Sequence, residues 1–400
     1  MISLQALEDQ SRDLANRSGD LCVYDMRVDG ERLDGAPQRT RYAKHQTLLR
    51  SYQGRYVLLP DAAPEGSIVD DLMRRYEPRA MQALDALRAV LEDELINPIL
   101  KKASAASAGQ DARSYVESLL PRIRNAPPSR FLTYLDASQH REHHYRHFLI
   151  QSSADLLAEA SASALGVIGE FGAPQSALFR ILIDEFGYGE HTKKHSQLFR
   201  RTLSGFGLNT EYNAYWPLWD TAALEVHNTI HCLFQSPRHF FKQVGFLLFA
   251  ETAYQHSTGE HFRYLKKHHP GVDGTYFGEH AHIDIHHTRM VVEEVVVPLV
   301  DKFGPEAGHE ILTGAEATRA VFAASESHML ALAMAFDNAA ETGRARHGLQ
   351  PPIPSGAAVT PEAARTITSH FQVGGMGRIL DPSVFEGFPE GSIGRMEVQA

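Results

Sequence analysis

Residues 280–287 read HAHIDIHH, which sets four histidines and an aspartate within one short stretch. An α-helix turns about 100° per residue, so His280, Asp284 and His287 fall on one face while His282 and His286 point to the other. Two imidazoles and a carboxylate on one face suit iron, manganese or zinc chemistry. Three ligands from a single helix leave a metal site incomplete, so the rest must come from other segments.

A ligating carboxylate belongs on an apolar stripe, because an unpaired charge costs several kcal/mol to bury and a cation is one of few remedies. Glu159 in QSSADLLAEASASALG continues the helical face of Phe148, Ser152, Leu156 and Ala162. Glu185 in SALFRILIDEFGYGEHTKKHSQLF continues Leu178, Ile181 and Leu182, and His195 shares a face with Leu198 and Phe199. Each of these alone is better explained as core structure: an interior Glu often pairs with Arg, and an inward His is often a satisfied core residue. The chain has 22 histidines, so clusters such as His143-His144 and His268-His269 arise without any ligand role. Together with the 280–287 face, however, the three residues give three carboxylates and three imidazoles over at least three helices. That is the inventory for two irons bridged by carboxylate rather than for one zinc.

Glu251, inside FLLFAETAYQ with Leu247, Leu248 and Tyr254 near its face, is a further inward carboxylate. It is expected to orient a ligand or to meet a cationic substrate amine, with an internal Arg pair as the structural alternative. His191 lies one turn before His195 and competes with it, although the more apolar neighbours favour His195. Glu-x-x-His pairs of the ferritin type occur at Glu279/His282 and Glu306/His309. The first turns away from the 280–287 face, and the second follows Gly304-Pro305 without an apolar stripe.

The elements that must position these residues are mostly helical. From Pro127-Pro128 to about residue 343 the apolar periodicity predicts helices separated by Gly and Pro turn signals, hence an all-α bundle. Upstream, Cys22, Tyr24, Met26 and Val28 alternate before Asp29-Gly30, and the apolar run Tyr56–Leu59 stops at Pro60, so residues 21–60 have strand-like traits. Ser67 and Asp70 form a capping pair, Leu84, Leu87, Leu91 and Leu95 repeat at helical spacing until Pro98, and ASAASAGQ at 103–110 reads as a loop. The expected organisation is a mixed N-terminal section over 1–110, through which a homodimer would form, a helical bundle over 111–345, and a tail over 346–400 where Gly and Pro are frequent.

Composition narrows the partners. A 43% hydrophobic chain of 400 residues can bury a large core, and a net charge of −10 without a basic block argues against nucleic acid or an anionic membrane. A small-molecule substrate is expected. Only Cys22 and Cys232 are present, which excludes a disulfide framework or a cysteine-based metal site. With no basic, apolar leader in MISLQALEDQ and no long apolar run, a cytoplasmic location is expected.

The order Glu159, Glu185, His195 ten residues on in DEFGYGEHTKKH, then H-x-x-x-D-x-x-H at 280–287, resembles the haem-oxygenase-like diiron oxidases, the iron-containing redox enzymes. The resemblance covers roughly residues 130–340. It implies a seven-helix haem-oxygenase-like bundle that holds two irons without haem, with Glu159, Glu185, His195, His280, Asp284 and His287 as ligands. It also implies reaction of the diferrous form with O2 to a peroxo-diferric oxidant, with electrons from an external donor. The gap from Glu185 to His195 is similar to the N-oxygenase branch, whose members oxidise amine nitrogen in natural-product pathways. Other members desaturate or cleave fatty acids and amino acids, and that is the alternative. Residues 346–400 are too few for the cupin domain that follows the bundle in that branch, so any N–N bond-forming step such a domain supplies is expected to be missing. A haem enzyme on the same bundle would have no use for the inward carboxylates, and neither would a non-catalytic helical interaction protein.

Overall fold

The computed structural model describes residues 36–59 and 66–341. Among these residues the chain is all-α, with no strand. In chain order the helices are α1 (Ala36–Gln53), α2 (Ile68–Arg75), α3 (Pro78–Leu91), α4 (Asn97–Ala106), α5 (Ala112–Arg124), α6 (Arg130–Ala137) and α7 (Arg141–Leu156). Then follow α8 (Ser161–Gly166), α9 (Ala173–Glu185), α10 (His195–Gly205), α11 (Thr221–Gln235), α12 (Phe240–His268), α13 (Thr275–Met290) and α14 (Val297–Glu341). Side-chain caps start several of them: the Asp70 backbone N–H donates to Ser67 Oγ, Ser114 to Asp111, and Ala223 to Asp220 at 2.7 Å.

Three of the expectations for the N-terminal section are corrected. Residues 36–53, inside the stretch with strand-like traits, form α1, because Tyr42, His45, Leu49 and Tyr52 recur at three- to four-residue spacing and are buried. The alternating run Cys22 to Val28 lies outside the described residues, and Tyr56–Leu59 has no regular structure. Pro98 does not end the helix: α3 runs on through a π-helical turn at Glu92–Ile96, where the Asn97 N–H donates to the Glu92 carbonyl, into α4, and the alanines at 103, 105 and 106 extend α4 through half of the stretch read as a loop.

Helices α12, α13 and α14 form the central layer. Gly245 lets α12 and α14 approach closely: a Cβ there would lie 1.8 Å from the Ile311 carbonyl oxygen. Apolar residues gather in two cores. One contains Leu178, Ile181, Leu182 and Val291 together with Tyr52 and Leu91 from α1 and α3, so the described N-terminal helices pack into the bundle. The other contains Leu198, Phe199, Tyr276, Phe277, Trp216 and Trp219. Helix α13 begins in the second core, and the π-helical turn Val291–Val296 that follows it is buried in the first, which leaves its polar middle between them. No helix of the described residues is long and apolar enough to cross a membrane.

Candidate metal centre

Glu185 is the last residue of α9, and the burial of Leu178, Ile181 and Leu182 draws that end of the helix inward. The chain must then reverse to bring in His195. It does so through Gly187, Tyr188 and Gly189, all at positive φ. A Cβ on Gly187 would lie 2.5 Å from the Lys194 backbone nitrogen, so the reversal requires glycine. His195 opens α10, held by buried Leu198 and Phe199, and its Nδ1 lies 2.7 Å from Glu185 Oε2. His191, the rival ligand, is exposed in the loop.

Glu159 is not on the continuous helix that its apolar neighbours suggested. Helix α7 ends at Leu156, and Ala160 adopts a left-handed φ of 65°. Alanine favours helix, so packing imposes this break at about 1–2 kcal/mol of local strain. The turn nevertheless delivers the carboxylate: Tyr276 Oη donates to Glu159 Oε1 at 2.7 Å, and His280 Nε2 lies 3.4 Å from the same oxygen.

On α13, His280, Asp284 and His287 are 2%, 1% and 0% exposed, while His282 and His286 are at the surface. The interior residues fall into two groups, Glu159, Glu185, His195 and His280 in one, and Glu251, Asp284 and His287 in the other, each close enough to hold a metal ion. Glu185 stands between them. Its Oε2 faces His195, and its Oε1 is 3.7 Å from His287 Nδ1. Glu251 Oε2 and Asp284 Oδ1 approach the same Nδ1 at 3.2 and 3.5 Å. Glu251 thus lies among the candidate ligands and brings a fourth carboxylate to the three imidazoles.

The hydrogen bonds fix which ring nitrogens are free. His280 Nδ1 lies 3.0 Å from the Tyr276 carbonyl, which can only accept, so Nδ1 carries the proton and Nε2 faces the first group. His287 Nε2 donates to Asp184 Oδ2 at 3.1 Å, which aims Nδ1 at the second group. This is the carboxylate–histidine pairing that orients metal-bound imidazoles. Sequence reading missed Asp184. Its signal was the acid pair Asp184-Glu185 at a helix C-terminus, where the helix dipole disfavours negative charge.

Three carboxylate oxygens in this interior, Glu159 Oε2 and both of Asp284, are buried without a hydrogen-bond donor, while Glu185 Oε2 meets the His195 ring. The local electrostatics run the same way. Burial opposes protonation of His195, yet Glu185 holds it above the usual histidine range. Burial likewise opposes protonation of His280 and His287, and Glu159 and Glu251 respectively outweigh it. Burial raises Asp284, whereas Glu185 is held low because the three imidazoles outweigh its own burial. An interior that draws protons onto its imidazoles is short of positive charge, and divalent metal supplies that charge. The donor set therefore fits iron.

A cavity of about 430 Å³ adjoins the first group, with Tyr276, Phe277, Phe148, Leu156 and Tyr254 among its walls. Asp155 also lines it, and burial together with the charge of Glu159 pushes that carboxyl up to about 7.

Residues 146–323, which hold all seven grouped residues, match the family of iron-containing redox enzymes. The chain is also 32% identical over 310 residues to a nitrosourea synthase from Streptomyces achromogenes subsp. streptozoticus, an alignment that covers 73% of this chain and 63% of that protein. The chain thus spans somewhat less than two thirds of the length of that relative. With an all-α bundle, a buried carboxylate and histidine interior able to hold metal, and these two similarities, residues 146–323 of the chain are identified with the haem-oxygenase-like iron-containing redox enzymes.

Proposed function

We propose that this protein is a non-haem diiron oxygenase that uses O2 and an external electron donor to N-oxygenate an amine of an amino-acid-like small molecule in natural-product biosynthesis. The observation that carries the reading is Glu185, which directs one oxygen to each of two ligand groups. A single site would leave one group of buried carboxylates without a counter-charge. Four carboxylates balance the charge of two Fe(II) ions, and three neutral imidazoles complete the set. Two irons held there would supply the electrons for O2 activation.

The residues of the chain do the positioning. Asp184 holds a proton on His287 Nε2, and the Tyr276 carbonyl does the same at His280 Nδ1, which keeps the opposite nitrogens turned to the metal positions. Tyr276 Oη fixes Glu159 by donating to Oε1. Aromatic and aliphatic walls of the adjoining cavity give the space beside the first group a largely apolar surface. The name of the relative supports the choice of nitrogen, since a nitrosourea carries an oxidised nitrogen.

Anaerobic titration is expected to bind about two Fe(II) per chain, and exposure to ¹⁸O2 with a panel of amines is expected to leave label on product nitrogen. Saturation at one iron with full activity would remove the dinuclear reading. Label found only in water or on a carbon fragment, with a fatty acid as the accelerating substrate, would replace N-oxygenation by desaturation or cleavage at carbon.

A further inference from the structure

The geometry points to a cation subsite at Asp155 in the cavity beside the metal centre, one that takes the ammonium group of an amine whose body is apolar. Asp155 lies on the last turn of α7, four residues before Glu159, and its carboxylate lines the cavity. Among the described residues that carboxylate has no hydrogen-bond or ion-pair partner.

Its neighbours in the wall are engaged elsewhere. Glu260 accepts from the Ser129 backbone N–H at 3.2 Å, and Glu326 accepts from Ser129 Oγ at 2.6 Å. Arg319 is held by Glu316, its Nε donating at 2.8 Å. Burial lowers His261 to about 3 and His227 to about 4, so both rings are neutral near pH 7. The lining therefore carries three carboxylates against the Arg319 guanidinium, which Glu316 holds, and the His256 ring, 3.7 Å from Glu260; of the three, Asp155 is the one with no donor. A carboxylate-headed ligand such as a fatty acid would enter without a counter-charge, whereas an ammonium would find one at Asp155.

The place and the size agree with this. Tyr276 is part of the cavity wall and also donates to Glu159, so the cavity abuts the first ligand group. Phe148, Phe277 and Leu156 line the space around Asp155 with apolar surface. At about 430 Å³ it has room for a small molecule of one ring or short chain. Charge would set orientation, and the walls would supply affinity. For the fate of the bound nitrogen the inference rests on the oxygenase reading above, but binding is measurable without turnover.

The test is isothermal titration of the full chain without O2, before and after Fe(II) addition. The probes are 4-phenylbutylamine, 4-phenylbutanol and 4-phenylbutanoate, which share a body and differ in head charge. The amine is expected to bind at least tenfold tighter than the other two, a factor equivalent to about 1.4 kcal/mol. Asp155→Asn is expected to abolish that preference and leave alcohol binding unchanged, and Ser257→Phe, which fills the cavity from α12, to weaken all three. Equal binding of amine and alcohol by the wild-type protein would overturn the subsite without recourse to a variant. So would a preference that survives Asp155→Asn, including one that appears only with Fe(II) and reports ligation to metal. An amine held in an Asp155-dependent way but never oxidised on nitrogen would uphold the subsite and remove the N-oxygenase reading; N-oxidation unaffected by Asp155→Asn would do the reverse.

Discussion

Two regions of this molecule bury histidine against carboxylate, and they differ in what the carboxylates lack. At the junction of α6, α7 and α14, Asp337 accepts from His144 Nε2 at 2.8 Å and from the hydroxyls of Tyr134 and Ser138, each at 2.7 Å. Every oxygen of that carboxylate has a donor, and the region needs nothing else. Around α13, by contrast, Glu159 Oε2 and both oxygens of Asp284 have none. Residue types are the same in both places. What separates these two regions is the unmet oxygen, which is costly to bury without a partner and which a cation would satisfy.

The difference predicts opposite responses to mutation. Glu185→Ala removes the residue shared by both groups, so iron content after anaerobic loading is expected to fall below a tenth of wild type while the helical content by circular dichroism stays. Asp337→Ala should retain full iron content and lose thermal stability instead, since it leaves His144, Tyr134 and Ser138 without their acceptor, a loss of about 1–3 kcal/mol. Iron loss in Asp337→Ala equal to that in Glu185→Ala would erase the comparison.

Within α13 the contrast can be drawn more finely. His280→Ala, Asp284→Ala and His287→Ala are expected to bind little iron, whereas His282→Ala and His286→Ala keep it, because the latter rings lie at the surface. Equal losses at His286 and His287 would show that a surface histidine contributes. Asp184→Asn keeps the size of the side chain but weakens the acceptor for His287 Nε2, and a 10–100-fold loss of iron affinity, read by competition with a chelator, is expected.

Acid should separate the regions least dramatically. Asp337 is held below the usual carboxylate range, since the hydrogen bonds from Ser138 and Tyr134, with His144 beside them, outweigh its burial. His144 is held below the usual histidine range, chiefly by burial, against the pull of Asp337. Both shifts mean that the unfolded chain binds more protons, so the stability they contribute is present at neutral pH and declines as pH falls, first through the histidine range and then through that of Asp337. In Asp337→Asn the midpoint of thermal unfolding is expected to drop less than in wild type through the carboxylate range and more through the histidine range, where the burial of His144 is no longer opposed. A parallel pair of curves would show that this pair carries no pH dependence.

The legible part of the site was the part built on uninterrupted helix. The period of α13 alone separates His280, Asp284 and His287 from His282 and His286, and the structure places the two sets inside and outside. Glu185 and Glu251 likewise follow their apolar stripes into the interior. Glu159 was singled out on the assumption of a helix that breaks at Ala160, and it reaches the interior through the turn that replaces it. Nothing local announces that break, because alanine and serine are compatible with helix and the strain is imposed by packing. Asp184 escaped because neighbouring residues on a helix point about 100° apart, and only the partner His287, distant in sequence, gives the second direction a purpose. In the N-terminal section, short alternating runs outweighed the spacing of Tyr42, Leu49 and Tyr52, whose partners lie far along the chain.

The two ligand groups are mounted differently, and that bears on how fast each exchanges metal. Glu251, Asp284 and His287 all project from the interiors of α12 and α13, where release of an ion requires several helical residues to shift together. Glu159 hangs on the turn at Ala160, and His195 sits at the first position of α10 just after the reversal at Gly187, so two of the four residues in the first group border loop backbone. On the dinuclear reading, a chelator chase is expected to empty the first group with the shorter lifetime and the second with the longer; equal lifetimes would remove this distinction.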